Sequence, residues 1–234
     1  MVLKEETIEA LAARYIKPES VIAFGTSSLS EVFLKKIALK IEDEKTGIKV
    51  IPTSHRIAEI LSSLNIPTAS ISDHEVDVAF EFVSSINKDF DFVKKESASF
   101  VRDKMIAQSA EELIVITEKE NFVDKILGII PCEIESFGWK RTLIQLEKLG
   151  KASLRKIGKT EYRTETNHLV ADVEIDEIYD LDEIEMQAKE IPAVIETGLF
   201  LGYADRIILH NHGLEVKSRL DFDAQEKKAI SFKT

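Results

Sequence analysis

The strongest constraint in this chain is an alternation. Short, wholly apolar runs at 21–24 and 113–116, with mostly apolar runs at 48–51 and 76–82, alternate with segments whose apolar residues recur every three or four positions. Four apolar residues in a row suit a strand covered on both faces, as in a parallel sheet. The longer spacing suits an amphipathic helix. It predicts helices over 3–16, with Ile8, Leu11, Ala12 and Tyr15 on one face, over 56–64, with Ile57, Ile60, Leu61 and Leu64, and over 100–108. Pro18 stops the first of these. A further strand is expected over 66–71, and Ser30 is placed to cap a helix running to about residue 39. Such alternation with short loops predicts a doubly wound, Rossmann-like, mostly parallel α/β sheet. Ligands of these sheets bind at the carboxyl ends of the strands, which here are 25–28, 52–54, 81–97 and 117–121.

Beyond residue 128 the pattern changes. Strands at 132–137, 169–175 and 193–197 alternate with helices at 141–149 and 181–190. This β-α-β-α-β run predicts a small split-βαβ, ferredoxin-like α+β unit. The apolar run 206–209 then returns to the first sheet. The expected division is therefore 1–128 plus 199–234 for the Rossmann-like domain, with 129–198 inserted, and a polar tail at 219–234 that frays.

Charge and composition narrow the partners. With 31 basic and 42 acidic side chains the net charge is -11, which repels nucleic acid and anionic membranes. Basic residues are interleaved with acidic ones, and no apolar run is long enough to span a bilayer. The first residues read as an amphipathic helix rather than a signal peptide. One cysteine, Cys132, allows no intrachain disulfide and reads as a packing residue. A cytoplasmic protein is expected. The five histidines are scattered, and His210-Asn211-His212 reads as a turn rather than a metal site, because no third ligand is evident.

Two turns could hold an anion. Gly25-Thr26-Ser27-Ser28 joins a buried strand to a helix start, where backbone N–H groups and the helix dipole favour negative charge. Pro52-Thr53-Ser54 repeats the arrangement one strand later, where a simple N-cap is the competing reading. The dense charged segment from Asp89 to Lys104 is either a solvated face or a site. In the second reading Asp103 supplies a base for a carbon-bound proton and Lys94 a cation for the resulting enediolate.

Taken in order, these pieces resemble the ribose-5-phosphate isomerase type A family from about residue 3 to about 216. The resemblance is carried by Phe137-Gly138-Trp139, by 146–150, by Pro52-Thr53-Ser54 and by the segment Glu196-Thr197-Gly198-Leu199-Phe200-Leu201-Gly202-Tyr203-Ala204-Asp205. It implies a homodimer or homotetramer that interconverts ribose 5-phosphate and ribulose 5-phosphate through an enediolate, without metal or organic cofactor. The implied roles are Asp103 as base, Lys94 as electrostatic stabiliser, Glu81 in ring opening and Ser84 beside it. Gly25, Thr26, Ser28, Thr53, Ser54 and Asn121 make up the implied phosphate neighbourhood.

The site segments depart from the family pattern. Its phosphate turn Gly-Thr-Gly-Ser-Thr is Gly25-Thr26-Ser27-Ser28-Leu29 here. Its two aspartates in Asp-Gly-Ala-Asp-Glu become Glu81 and Ser84, and its base glutamate becomes Asp103. The glycines after its lysine become Lys95-Glu96-Ser97-Ala98, and an expected lysine is Asn121. A base one methylene shorter can cost about 10²-fold in rate if it is misplaced by ~1 Å. The alternative expectation is thus a catalytically impaired homologue that binds a phosphorylated sugar or nucleotide, or an assembly partner.

Overall fold

The computed structural model describes residues 4–44, 46–175, 180–211 and 213–219. In chain order the first half contains α1 (Glu5–Tyr15), β1 (Val21–Phe24), α2 (Ser28–Glu44), β2 (Lys49–Pro52), α3 (His55–Ser63), β3 (Val76–Phe82), the short β4 (Phe92–Val93), α4 (Phe100–Ser109) and β5 (Ala110–Glu118). The second half contains β6 (Gly128–Ile134), α5 (Trp139–Leu146), β7 (Lys151–Leu154), a hairpin of β8 (Lys156–Ile157) and β9 (Thr160–Glu161), β10 (Leu169–Ile175), α6 (Leu181–Lys189), β11 (Val194–Thr197), β12 (Leu199–Phe200), β13 (Arg206–His210) and β14 (Leu214–Ser218).

The main sheet has the order β14-β13-β5-β3-β1-β2. Its neighbours run parallel except for the β13–β14 hairpin. Alternate residues serve opposite faces, as strand geometry requires. Ile22 and Phe24 of β1 join Phe33, Leu34 and Ile57 in one core, whereas Ala23 joins Ile106 and Ala107 of α4 in the other. Strand order reverses between β1 and β3, because β2 lies on one side of β1 and β3 on the other. A crevice forms outside the strand ends at such a switch point.

The second sheet is antiparallel, in the order β11-β6-β10-β7. Strands β6 and β7 are split by β10, which is the expected split-βαβ arrangement. Between the two sheets lies the pair β4–β12 (Phe92↔Phe200, Val93↔Leu199). Phe92 and Phe200 stack with centroids 4.6 Å apart in the core of the main sheet, while Val93 and Leu199 belong to the core of the small one. Lys94 follows directly after this pair.

Several expectations need correction. Residues 66–71 form no strand; Thr68 makes one isolated bridge to Val50 and the chain then turns. The β-propensity of that short run is overridden by its place beyond the edge strand β2. Ser30 lies inside α2, and Ser27 caps it instead by accepting from the Leu29 and Ser30 N–H groups at 3.1 and 3.2 Å. The small sheet has a strand, β7, that the sequence pattern concealed because its residues are at best half-buried. The strand β14 was likewise missed. Nor is the 89–104 segment a solvated face, since Lys94, Asp103 and Lys104 are buried. Of the tail expected at 219–234, Arg219 is held, its N–H donating to Asp205 O at 3.0 Å; residues 220–234 and His212 lie outside the described residues. Among those described, no helix is long and apolar enough to cross a membrane.

Candidate active site

Three charged side chains meet at the switch point. Glu81 comes from the end of β3, Lys94 from the residue after β4 and Asp103 from the first turn of α4. Lys94 Nζ donates to Glu81 Oε1 at 2.9 Å and lies 2.8 Å from Oε2. The same ammonium is 2.7 Å from Asp103 Oδ2. All three are nearly sealed from solvent, at 2%, 3% and 1% exposure. One cation thus serves two carboxylates where water screens little, so the excess negative charge must appear as a shifted titration. Burial pushes the Glu81 carboxyl up to about 7, opposed by Lys94 and reinforced by Asp103. Burial also works against the Lys94 ammonium, but Asp103 and Glu81 together outweigh it and raise its pKa above the ordinary lysine value.

Two glycines make the cluster possible. A Cβ on Gly25 would fall 1.9 Å from Glu81 Oε2, so only glycine lets that carboxylate fold back over the end of β1. A Cβ on Gly198 would fall 2.5 Å from the Lys94 carbonyl oxygen. The close approach lets Lys94 N donate to Gly198 O at 2.8 Å, fastening the lysine to the segment before β12.

The loop after Lys94 is clamped as well. The Ser97 hydroxyl donates to Asp103 Oδ2 and accepts from Ser99 N at 3.0 Å. Ser97 O accepts from the Tyr162 hydroxyl at 2.7 Å, and Ala98 O from Glu165 N at 2.8 Å. Ser99 caps α4, accepting from Arg102 N. Glu133 of β6, fully buried, then grips the start of α4: its Oε2 accepts from Phe100 N at 2.9 Å and Val101 N at 3.3 Å. Its Oε1 faces Thr164, Thr166 and His168 Nδ1 at 2.8, 2.6 and 2.9 Å. Burial alone would raise the Glu133 pKa, but these hydrogen bonds prevail and lower it. Lys104, next to Asp103, is tied at 2.7 Å to both Glu185 and Glu196. Burial pulls its pKa down, and the two carboxylates more than restore it. Sequence reading missed the Glu133 and Lys104 anchors. A lone glutamate in the apolar run 129–134 was the signal that could have revealed the first.

A cleft of about 400 Å³ opens beside the cluster, lined by Thr26, Ser28, Ser84, Lys94, Lys95 and Asn121 among others. Of the three charged groups Lys94 reaches its wall, and Glu81 and Asp103 stand directly behind. Ser84 is exposed on the cleft and, among the described residues, makes no hydrogen bond to the cluster. Asn121 Nδ2 donates to Thr117 Oγ1 at 3.2 Å. Thr53 and Ser54 do not line the cleft. The Thr53 hydroxyl donates to Phe24 O at 2.6 Å, and Ser54 caps α3 while accepting from the Thr26 hydroxyl at 2.8 Å. They brace the turn rather than bind through it. Burial pushes the Cys132 thiol up to about 12, which leaves it the inert packing group expected. Among the described residues, no three His, Cys, Asp or Glu side chains gather where they could hold a metal ion.

Fold and site define an α/β protein with a lysine–dicarboxylate centre at a strand-order switch. Residues 49–213 match the family model of ribose 5-phosphate isomerase A (phosphoriboisomerase A). The chain is 30% identical over 205 residues to ribose-5-phosphate isomerase A 2 of Oceanobacillus iheyensis, covering 86% of this chain and 92% of that relative. It is 31% identical over 221 residues to ribose-5-phosphate isomerase A of a Synechococcus species, covering 91% and 95%. Among solved structures it is similar to ribose 5-phosphate isomerase from Plasmodium falciparum, with a TM-score of 0.85 at 22% identity over 91% of this chain and 96% of that one. It is also similar to a D-ribose-5-phosphate isomerase in complex with phospho-erythronic acid, with a TM-score of 0.83 at 26% identity over 93% of this chain and 100% of that one. This chain belongs to the ribose 5-phosphate isomerase A family.

Proposed function

We propose that the Lys94 cleft interconverts ribose 5-phosphate and ribulose 5-phosphate, and that the altered carboxylates still form a working pair. The observation that supports this most is the Glu81–Lys94–Asp103 cluster itself. The two substitutions offset each other: β3 carries the longer glutamate and α4 the shorter aspartate, and both reach one ammonium within 2.9 Å.

The roles follow from the groups' states. Opening the sugar ring moves a proton from the anomeric hydroxyl to the ring oxygen. A carboxyl titrating near 7 can give and take that proton at neutral pH. Asp103 then takes the proton from C2 of the open aldose. Electrons move toward the C1 carbonyl, an enediolate forms, and Lys94 offsets its charge in a site that excludes water. Transfer of the O2 proton to O1, with return of the carbon-bound proton from Asp103 to C1, gives the ketose. Among the described residues, the hydrogen bonds to Asp103 fall on Oδ2, which leaves Oδ1 for the carbon-bound proton. The substrate's phosphate faces Thr26 and Ser28 at the start of α2. Ser84 and Asn121 lie on the cleft wall within the same neighbourhood.

The inserted unit at 129–198 supplies the Glu133 anchor, and the rest of the chain supplies the cluster. Assembly as a homodimer or homotetramer and a cytoplasmic location belong to the same reading and rest on the family resemblance. The alternative of an impaired binding homologue draws no support from the comparisons. The test is ribulose 5-phosphate formation from ribose 5-phosphate by the purified protein beside its Lys94→Ala variant. Turnover that the variant abolishes is expected; a wild-type rate no higher than the variant's would overturn the proposal.

A further inference from the structure

We infer that Lys95 is the side chain that holds the phosphate of the sugar, so that affinity for phosphorylated ligands rests on a residue of the 94–98 loop. This inference builds on the site reading above and adds a residue to it.

Charge within the cleft carries the argument. Two cations line it, Lys94 and Lys95. Lys94 is already shared by two buried carboxylates, and the proposed reaction commits it to the enediolate rather than to the phosphate. Lys95 is exposed and, among the described residues, makes no hydrogen bond or ion pair. Asn121, also on the wall, carries no charge. Glu96 and Glu118 also line the cleft, so in a chain of net charge -11 a phosphate entering without Lys95 would meet two carboxylates, neutral donors and a single cation already paired.

Backbone anchoring makes the lysine effective. Lys94 N is fastened to Gly198 O at 2.8 Å on one side, and Ser97 is fastened to Asp103, Ser99 and Tyr162 on the other. Lys95 and Glu96 are the two exposed residues between those anchors. The ammonium is therefore presented from a held backbone, on the same cleft as Thr26 and Ser28, and little backbone freedom is lost on binding. Lys95 also lines an adjoining groove of about 770 Å³, which places it where the two openings meet. Arg56 and Arg155 of that groove are paired with Glu31 and Asp172.

The experiment is calorimetric titration of phospho-erythronic acid into wild-type protein, Lys95→Met, Lys95→Arg and Lys156→Ala, at low and moderate salt. A lost charge-assisted contact predicts that Lys95→Met weakens binding about 10- to 100-fold and flattens its salt dependence. Lys95→Arg restores most of the affinity. Lys156→Ala, which removes a cation from the adjoining groove only, stays within about twofold of wild type because exposed charges at that remove are screened. Turnover assays should show the Lys95→Met loss chiefly in KM. Equal affinity in wild type and Lys95→Met overturns the inference, as does an equal loss in Lys156→Ala or no binding by wild type. Failure of the isomerase reading appears separately, as wild-type protein that binds through Lys95 yet forms no ribulose 5-phosphate.

Discussion

Glu81 and Glu133 are both buried glutamates at the junction of the two sheets, at 2% and 0% exposure, yet they titrate in opposite directions. Burial raises both. Glu133 receives two N–H groups from the start of α4, two hydroxyls and an imidazole. Glu81 receives one ammonium, which it must share with Asp103, and a single backbone N–H, from Phe82, of smaller effect. The donor count therefore decides the charge state, and it separates an anchor from a chemical group. The satisfied carboxylate holds α4 still, and the under-satisfied one is left to exchange a proton.

The largest expected effect tests the under-satisfied side. Lys94→Ala removes the charge shared by both carboxylates and should lower kcat/KM for ribose 5-phosphate by about 10³-fold or more. Steady-state kinetics would show it, and a loss under tenfold would mean that the cluster is structural. The anchor side should fail in the other currency. Glu133→Ala strands the Phe100 and Val101 N–H groups and should cost about 3–5 kcal/mol of stability. A urea midpoint unchanged from wild type would break the contrast between the two glutamates.

Gly25→Ala sits between these. Its Cβ would meet Glu81 Oε2 at 1.9 Å, and a displacement of ~1 Å at the carboxylate should cost about 10²-fold in kcat. Kinetics beside an unfolding curve would separate displacement from misfolding.

The smallest effect is the most discriminating. Glu81 titrates near 7 when folded, against an ordinary 4.5. The folded state thus favours its protonated form, and the stability it contributes is full below pH 4.5 and is lost as pH rises through about 7. Glu133 is lowered, so its contribution is full above the ordinary glutamate value and is lost as pH falls below it. Urea midpoints measured from pH 4.5 to 8 should therefore fall more steeply for wild type than for Glu81→Gln. Parallel curves would remove Glu81 as the titrating group.

Much of the architecture was legible from local pattern. The burial of Ile8, Leu11, Ala12 and Tyr15 in α1 follows their helical spacing, and β10 follows the run 169–175. Where partners lie far along the chain, the pattern fell short. Residues 66–71 look like a strand, yet they gain only one bridge because nothing pairs beyond it. β7 escapes detection because half-buried strands at an edge carry a weak alternation.

For the site, sequence alone determined which charges were available and in what order: a carboxylate at 81, a lysine at 94, a carboxylate at 103, and glycine at 25 and 198. Tertiary structure alone decided that three of them share one buried point, that Thr53 and Ser54 brace instead of bind, and that Glu133 enters from the other sheet to hold α4. The physical reason is range. Propensity and periodicity act over a few residues, whereas a pKa depends on which distant groups packing brings within about 3 Å, and on how much water it leaves there.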